Sequence, residues 1–306
     1  MVGVRKVINT VNGQITKEQL GTTYIHEHLY VVPNDLPKYY DYTLDDIDKS
    51  IYETISFQNA GGDSLVDLTP INYGRSPLLL KKIADATGVN ILFVTGFHKE
   101  EFQPKWLESM NSSQIYDFLA NEISNGVTSQ HLKPGAMKLG TSLGQITMTE
   151  KKVIEVETEI QKDLRIPIVT HCDQGTMGLE QLEILQKNGA DLSHVCLSHV
   201  DLQQDIAYLK EIFKRGASIS FDHIGRSLAD NDQKNVEIIT QLVIDGYVDQ
   251  ICLAGDMGRK KYFAAYNGQP GLKYILTGLK KELLKNISLQ DFNKMVQDNP
   301  QRVLEM

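Results

Sequence analysis

Six residues with metal-binding or acid–base side chains stand at or near the ends of five β-rich runs: His26, His28, Lys138, His171, His199 and Asp256. The first two are separated by one residue, so both imidazoles point to the same side of a strand. A lone histidine at a strand end is more often a hydrogen-bonded structural residue than a ligand. Because imidazole and carboxylate are the usual ligands of divalent metals, their recurrence at one end of five strands favours a metal centre.

The elements that must position these residues follow from an alternation of β-rich runs with segments of helical spacing. Eight runs are predicted as strands: Thr23–Leu29, Ser64–Leu68, Asn90–Gly96, Gly135–Leu139, Pro167–Cys172, His194–Val200, Ala217–Phe221 and Gln250–Ala254. Eight alternating units predict an α/β fold, a (β/α)8 TIM barrel with its active site at the C-terminal ends of the strands. We expect one domain over residues 1–306. A doubly wound sheet is the alternative, but no Gly-rich phosphate turn follows the first run.

Helix boundaries are marked by capping residues and glycines. A capping-box arrangement of Thr43 and Asp46 predicts a helix that ends at Gly61-Gly62, and Ser76-Pro77 predicts the start of a helix that stops at Gly88. Similar patterns predict helices over residues 178–188, 202–214 and 231–245.

Composition narrows the possible partners and location. The formal net charge is −8, which argues against non-specific nucleic-acid binding. No run of apolar residues is long enough to span a membrane, and Met1–Lys6 lacks the pattern of a secretory signal, so we expect a cytoplasmic protein. Three cysteines, each in a strand-like run, predict buried thiols rather than a disulfide framework.

The chain resembles the phosphotriesterase-like branch of the amidohydrolase superfamily. The resemblance covers nearly the whole chain and rests on Ile25-His26-Glu27-His28-Leu29, Met137-Lys138-Leu139, Val169-Thr170-His171, Leu197-Ser198-His199 and Gly255-Asp256. It implies a binuclear centre and suggests a homodimer. In that centre His26, His28 and Asp256 hold one metal, and His171 and His199 hold the other. Lys138, carboxylated by CO₂, bridges the two metals together with a hydroxide.

The chemistry of lysine agrees with that implied role. An ammonium group has only donors and would repel two cations, whereas a carbamate is an anion able to span both. The alternative is an ordinary barrel lysine paired with a carboxylate. Zinc is the first choice of metal, and manganese, cobalt or iron fit similarly. The implied mechanism is attack by the bridging hydroxide, with Asp256 taking its proton and passing it to the leaving oxygen.

The loops after the last two strands indicate the substrate. Arg259 and Tyr262 follow Asp256 by three and six residues, so a helical turn would project all three to one side. Together with Arg226 and the nearby Ser227, they predict a phosphate clamp. A solvated basic cluster is the alternative reading, which the acidic background of the chain makes less favoured.

Asp-Met-x-Arg-x-x-Tyr also resembles the subgroup of the family that hydrolyses phosphorylated furanose lactones, in which the Arg and Tyr hold the phosphate. The resemblance implies a lactonase acting on a small-molecule substrate such as D-xylono-1,4-lactone-5-phosphate or L-arabino-1,4-lactone-5-phosphate. His98, which Lys99 follows, and His223 stand where acyl-homoserine lactonases have a tyrosine and an arginine. All three are candidates for contact with sugar hydroxyls, with a structural role as the alternative. Two other functions are weighed: a phosphotriesterase or general esterase of the same family, and a non-catalytic metal-binding protein.

Overall fold

Eight parallel strands surround the centre of the molecule in the computed structural model, which describes residues 6–33, 38–226 and 231–306. Each strand pairs with the next one along the chain. The last strand leads back to the first, where the Asp256 backbone N–H donates to the His26 carbonyl at 3.0 Å. The barrel strands are β3 (Thr23–Glu27), β4 (Ser64–Asp67), β5 (Asn90–Gly96), β6 (Ala136–Thr141), β7 (Ile168–Cys172), β8 (Val195–Ser198), β9 (Ser218–Phe221) and β10 (Ile251–Leu253).

These strands confirm the predicted (β/α)8 barrel, with each strand inside or within two residues of its predicted run. A short antiparallel hairpin precedes them, β1 (Ile8–Thr10) and β2 (Gly13–Ile15), which the sequence pattern did not predict. The hairpin packs on the N-terminal end of the barrel, where the Val11 N–H donates to the Ile91 carbonyl at 2.9 Å. It therefore covers the face opposite the candidate site.

Helices pack around the outside of the barrel. Their bounds are α1 (Lys17–Leu20), α2 (Ile47–Asn59), α3 (Pro77–Thr87), α4 (Ser112–Asn125), α5 (Met148–Leu164), α6 (Gly178–Lys187), α7 (Ile206–Lys214), α8 (Asn231–Ile244), α9 (Lys280–Leu283), α10 (Leu289–Asn293) and α11 (Asn299–Leu304). Two π-helical turns, Ile275–Leu279 and Lys294–Asp298, lead into α9 and α11. No helix in the described ranges is long and apolar enough to cross a bilayer.

Two predicted helix starts are wrong, for the same reason. Asp46 rather than Thr43 caps α2, because its carboxylate accepts from the backbone N–H groups of Asp48 and Lys49 at 3.1 and 3.2 Å. Asp205 caps α7 in the same way, so the segment before it forms a separate 3₁₀ turn rather than the first turn of the helix. In both cases the side chain closest to the helix satisfies its first free N–H groups.

Both faces of the barrel strands are buried, which explains why their sequences are nearly continuous apolar runs. Side chains of β4, β6, β8, β9 and β10 are buried throughout, because one face of each strand meets the helices and the other fills the barrel. The three cysteines are buried and free, as predicted. Burial raises the pKa of Cys172 to about 12, so this thiol, next to His171 in the chain, is a packing group at neutral pH.

Candidate metal centre

A cavity of about 430 Å³ opens at the C-terminal ends of the strands. The six residues singled out by their strand-end positions all line it, and we call them the cavity floor: His26, His28, Lys138, His171, His199 and Asp256. Above them, Lys38, Tyr42, Lys99 and Arg259 also line the cavity, and we call these four residues the rim.

Three floor imidazoles are oriented by hydrogen bonds through Nδ1. His26 Nδ1 lies 2.9 Å from Ser198 Oγ and 3.1 Å from an Asp222 oxygen. His28 Nδ1 lies 2.8 Å from Thr69 Oγ1, and His199 Nδ1 lies 2.8 Å from the other Asp222 oxygen. Holding Nδ1 in this way leaves Nε2 as the ligand atom and fixes the plane of each ring.

The free imidazole nitrogens converge on Asp256. Its Oδ1 lies 3.0 Å from His28 Nε2 and 3.4 Å from His26 Nε2. Two donors that share one ion at about 2.1 Å are separated by roughly 3.0–3.4 Å at octahedral to tetrahedral angles. Each of these two distances between an imidazole nitrogen and Asp256 therefore fits a pair of ligands on one metal ion.

The other side of the floor holds His171 and His199, whose ring centroids lie 4.6 Å apart. His171 Nε2 is buried and has no hydrogen-bond partner among the described residues. A buried nitrogen without a partner is costly, and a metal ion would satisfy it. His26, His199 and Asp256 also place one ligand atom each within 4.8 Å of one another, which is the size of a metal site.

Lys138 lies beside His26 on the floor, with Nζ 3.4 Å from His26 Nε2. Its side chain is buried, and burial lowers the pKa of this amine to about 8. No ion pair with a carboxylate holds it within the described parts of the chain, so the alternative of an ordinary paired barrel lysine finds no support in the contacts of Lys138. The donor set as a whole fits divalent metal ions.

The charges of the floor are set by burial and by close neighbours. Burial lowers the pKa of His26 to about 3 and holds that of His171 well below its usual range, so both imidazoles are neutral. Burial alone would raise the pKa of Asp256, but the Arg226 guanidinium and the imidazoles beside it hold it well below the usual range. His26 and His171 as neutral imidazoles and Asp256 as an ionised carboxylate are therefore in the forms that bind metals.

Backbone conformation brings two of these residues inward. His199 and Asp256 both have a positive φ, 71° and 42°, at the point where β8 and β10 end. This region is unusual for residues other than glycine, and it concentrates at functional sites where surrounding contacts impose it. For His199 such a contact is the backbone N–H donated to Asp222 at 3.1 Å.

The loop after β10 does not form the continuous helical turn that the sequence spacing suggested. Arg259 is extended, with a φ of −144°, and a 3₁₀ turn begins only at Lys260. As a result Asp256 and Arg259 line the cavity, but Tyr262 does not. The ring of Tyr262 instead lies under Arg226, whose guanidinium carbon is 5.0 Å from the ring centroid.

A different tyrosine accompanies Arg259. The phenol of Tyr42, in the loop after β3, accepts a hydrogen bond from the Arg259 guanidinium, which also lies 4.0 Å from the ring centroid. Arg226, by contrast, is engaged at the floor, where it pairs with the Asp256 carboxylate and donates to the Gly255 carbonyl. Ser227 lies outside the described residues.

The remaining predicted substrate residues all line the cavity, and each has a partner. His98 Nδ1 accepts from the Lys99 backbone N–H at 2.8 Å, so its proton lies on Nε2. Lys99 Nζ lies 2.7 Å from Asp173. His223 Nδ1 lies 3.1 Å from Asp222, and burial lowers the pKa of this imidazole to about 4.

Sequence reasoning missed three carboxylates that organise the floor. Asp222 contacts His26, His199 and His223 at once. Asp67 accepts from the Leu29 and Thr69 N–H groups at 2.7 and 3.0 Å, and Glu27 accepts from the N–H groups that flank Asp256. All three stand at the ends of β-rich runs, like the histidines, and this position was the signal that could have found them.

Comparison with known proteins now identifies the class. Residues 6–304 match the model of the Phosphotriesterase family, so the chain belongs to that family, which consists of metal-dependent hydrolases. The chain is 32% identical over 327 residues to a phospho-furanose lactonase of Mycoplasmopsis synoviae (strain 53), covering 98% of this chain and 92% of the relative. The predictions of the family and of a hydrolase that acts on ester bonds are confirmed.

Two further similarities show the range of chemistry around this fold. An N-acetyltaurine hydrolase of Xenopus tropicalis is 29% identical over 341 residues, covering 97% of each chain. The crystal structure of a phosphotriesterase homology protein from Escherichia coli, complexed with phosphate in its active site, superposes with a TM-score of 0.90 at 28% identity. It covers 94% of this chain and 99% of that one.

Proposed function

We propose that this protein opens the lactone ring of a phosphorylated five-carbon sugar lactone, with a binuclear metal centre on the cavity floor and the phosphate at Arg259. One observation carries the proposal: the metal-binding donor set and an arginine with only a weak carboxylate contact line the same small cavity. A lactone ring at the floor and a phosphate at the rim would satisfy both.

The pairing of the cavity cations singles out Arg259. Lys99 contacts a carboxylate oxygen at 2.7 Å and Lys38 contacts one at 3.3 Å, whereas the nearest Asp41 oxygen is 3.7 Å from Arg259. Arg226 is already bound to Asp256. Arg259 is therefore the rim cation best able to exchange its present partner for an anion, and a guanidinium suits a phosphate dianion.

The floor supplies the remaining parts of the reaction. We propose that His26, His28 and Asp256 would hold one metal, His171 and His199 the other, and carboxylated Lys138 both. When bound, the two metals, zinc by preference, would lower the pKa of a water molecule and polarise the lactone carbonyl. The carbamate is supported by charge, since a buried ammonium beside two cations is unfavourable and a carbamate is a bidentate anion.

Asp256 is the proton carrier in this proposal. Its carboxylate is ionised, lies in the cavity and can take a proton from the attacking water. As the ring C–O bond breaks, the same oxygen returns the proton to the ring oxygen, which leaves as a hydroxyl group. His98, with its proton on Nε2, offers a donor to a sugar hydroxyl.

A substrate panel tests the proposal. Metal-loaded enzyme is assayed with pentono-1,4-lactone 5-phosphates, the same lactones without phosphate, a neutral aryl phosphotriester and N-acetyltaurine. We expect the highest kcat/KM on a phosphorylated lactone and competitive inhibition by sugar phosphates. Equal rates on lactones with and without phosphate, or faster turnover of the phosphotriester or of N-acetyltaurine, would contradict it.

Three other expectations stay predictions: one domain over residues 1–306, a homodimer and a cytoplasmic location. Analytical ultracentrifugation tests the dimer directly.

A further inference from the structure

Glu27 lies between the two histidines of the first barrel strand and points away from them. Residues that alternate along a strand face opposite sides, so Glu27 does not line the cavity with His26 and His28. Its side chain is fully buried. A buried carboxylate needs hydrogen-bond donors, and those of Glu27 come from a loop more than 200 residues later in the sequence.

Both oxygens of Glu27 accept backbone N–H groups of the loop after β10. Oε1 accepts from Gly255 at 2.6 Å and Oε2 accepts from Met257 at 3.0 Å. These two N–H groups are the ones on either side of Asp256. The carboxylate thus holds the peptides that flank Asp256 without touching the Asp256 side chain.

The contacts of Glu27 restrain the backbone on either side of Asp256, which has an unusual conformation. Asp256 has a φ of 42°, in the left-handed region that such residues seldom adopt unless surrounding contacts impose it. Its own N–H donates to the His26 carbonyl at 3.0 Å. Three consecutive N–H groups, from Gly255 to Met257, are therefore all fixed by residues of the first barrel strand.

A buried carboxylate also accepts a backbone N–H at or beside two other floor residues. Asp67, on β4, accepts the N–H of Leu29, the residue after His28, at 2.7 Å. Asp222, after β9, accepts the N–H of His199 at 3.1 Å. In each case a buried carboxylate on the next strand around the barrel fixes the backbone at or beside a floor residue, so the Glu27 contact repeats a pattern of this fold.

We propose that Glu27 is a positioning residue for Asp256: by accepting the N–H groups of Gly255 and Met257, it fixes the backbone that aims the Asp256 carboxylate into the cavity. The inference rests on the proposed function for the role of Asp256 as proton carrier. Glu27 itself touches neither substrate nor metal.

The chain offers a matched control in Glu53. This carboxylate of α2 is also buried and also accepts two N–H groups of the segment after β10, from Ala265 at 2.8 Å and Leu272 at 3.2 Å. Those N–H groups lie eight or more residues from Asp256. Replacing Glu53 thus removes the same type of contact from the same segment, away from the site.

The experiment compares Glu27→Gln with Glu53→Gln by amide hydrogen exchange and by kinetics, in the metal-loaded full-length protein. A glutamine keeps the shape but turns one acceptor into a donor that opposes an N–H. We expect Glu27→Gln to speed exchange at least about tenfold over residues 254–258 and Glu53→Gln to speed it over residues 264–273. We expect kcat to fall about 10- to 100-fold in Glu27→Gln only, with KM within about twofold of wild type.

Glu27→Asp provides a second variant in case Glu27→Gln does not fold. It keeps the carboxyl group but is one methylene shorter, so it should retain one of the two contacts and lie between wild type and glutamine in both measurements. Unchanged exchange over residues 254–258, or an unchanged kcat where wild type is active, would overturn the inference. If wild type hydrolyses none of the panel substrates, the proposed function fails while the exchange comparison still decides the role of Glu27.

Discussion

The cavity floor and the rim are built in different ways. Each floor side chain is at most 16% exposed or has its ligand atom buried. Asp222 and Thr69 orient the rings of three floor histidines, and Glu27 holds the backbone beside Asp256. The rim is more exposed, with 30% of the Arg259 side chain and 59% of the Lys38 side chain accessible. Its contacts join two loops, as between Arg259 and Tyr42.

This difference separates the two parts of the function. A fixed floor serves the chemistry that family members share, because ligands held by the barrel frame need no rearrangement to bind metal. A rim made of loop contacts can change with few substitutions, and it determines which group of the substrate is recognised. Substitutions on the floor should therefore affect kcat and metal content, and substitutions on the rim should affect KM.

The largest effect is expected at Asp256. Asp256→Asn removes the proposed proton acceptor while keeping the size of the side chain, so kcat should fall by roughly 10³–10⁴-fold. Steady-state kinetics on the best panel substrate, with metal content measured alongside, checks this. A kcat within tenfold of wild type at unchanged metal content would remove Asp256 from the chemistry.

The next largest effect is expected at Lys138. Lys138→Met keeps an apolar stem but supplies no anion, so the protein should bind fewer than two metals per chain and lose at least about 100-fold in kcat/KM. Metal analysis after dialysis measures the stoichiometry. The carbamate itself is visible as a carbonyl resonance after growth or incubation with ¹³C-labelled bicarbonate. Two metals per chain in Lys138→Met would show that the two metal ions bind without a bridging carbamate on Lys138.

A smaller and more selective effect is expected at the rim. Arg259→Ala removes the proposed charge-assisted contact with the phosphate, worth about 1.5–3 kcal/mol, so KM for a phosphorylated lactone should rise roughly 10- to 150-fold. KM for the lactone without phosphate should not change. Lys261→Ala is the matched control, because Lys261 is exposed on the same loop and does not line the cavity. An equal rise in KM in the two variants would indicate that the positive charge of the whole loop attracts the substrate, rather than a direct contact between Arg259 and the phosphate.

The smallest effect distinguishes two tyrosines. The sequence pattern assigns the phenol of the clamp to Tyr262, whereas the structure places Tyr42 against Arg259. Tyr42→Phe should raise KM for the phosphorylated lactone about 2- to 10-fold, the value of one neutral hydrogen bond, and Tyr262→Phe should change it less. A larger rise in KM in Tyr262→Phe than in Tyr42→Phe would indicate that the phosphate binds near Tyr262 and not near Tyr42.

The outcome for individual residues shows how far sequence reasoning reaches. The six floor residues could be found because strand ends are marked by composition, and parallel strands in a barrel must end on the same face. Asp222 was missed although it directly follows a β-rich run, because its role depends on contacts with three imidazoles that only the folded barrel brings together. The helical turn assumed from Asp256 to Tyr262 was wrong because backbone contacts to the first strand hold Asp256 at a positive φ.

The sequence by itself determined the barrel, the strand-end histidines and the class of chemistry, since these depend on local periodicity and on residue types that recur in register. The tertiary structure decided which side chains share the cavity. Tyr42 meets Arg259 across 217 residues of chain, and Glu27 meets Met257 across 230. Such pairs arise from closure of the barrel, which brings the loops after its first and last strands together, and no local pattern in either segment specifies its partner.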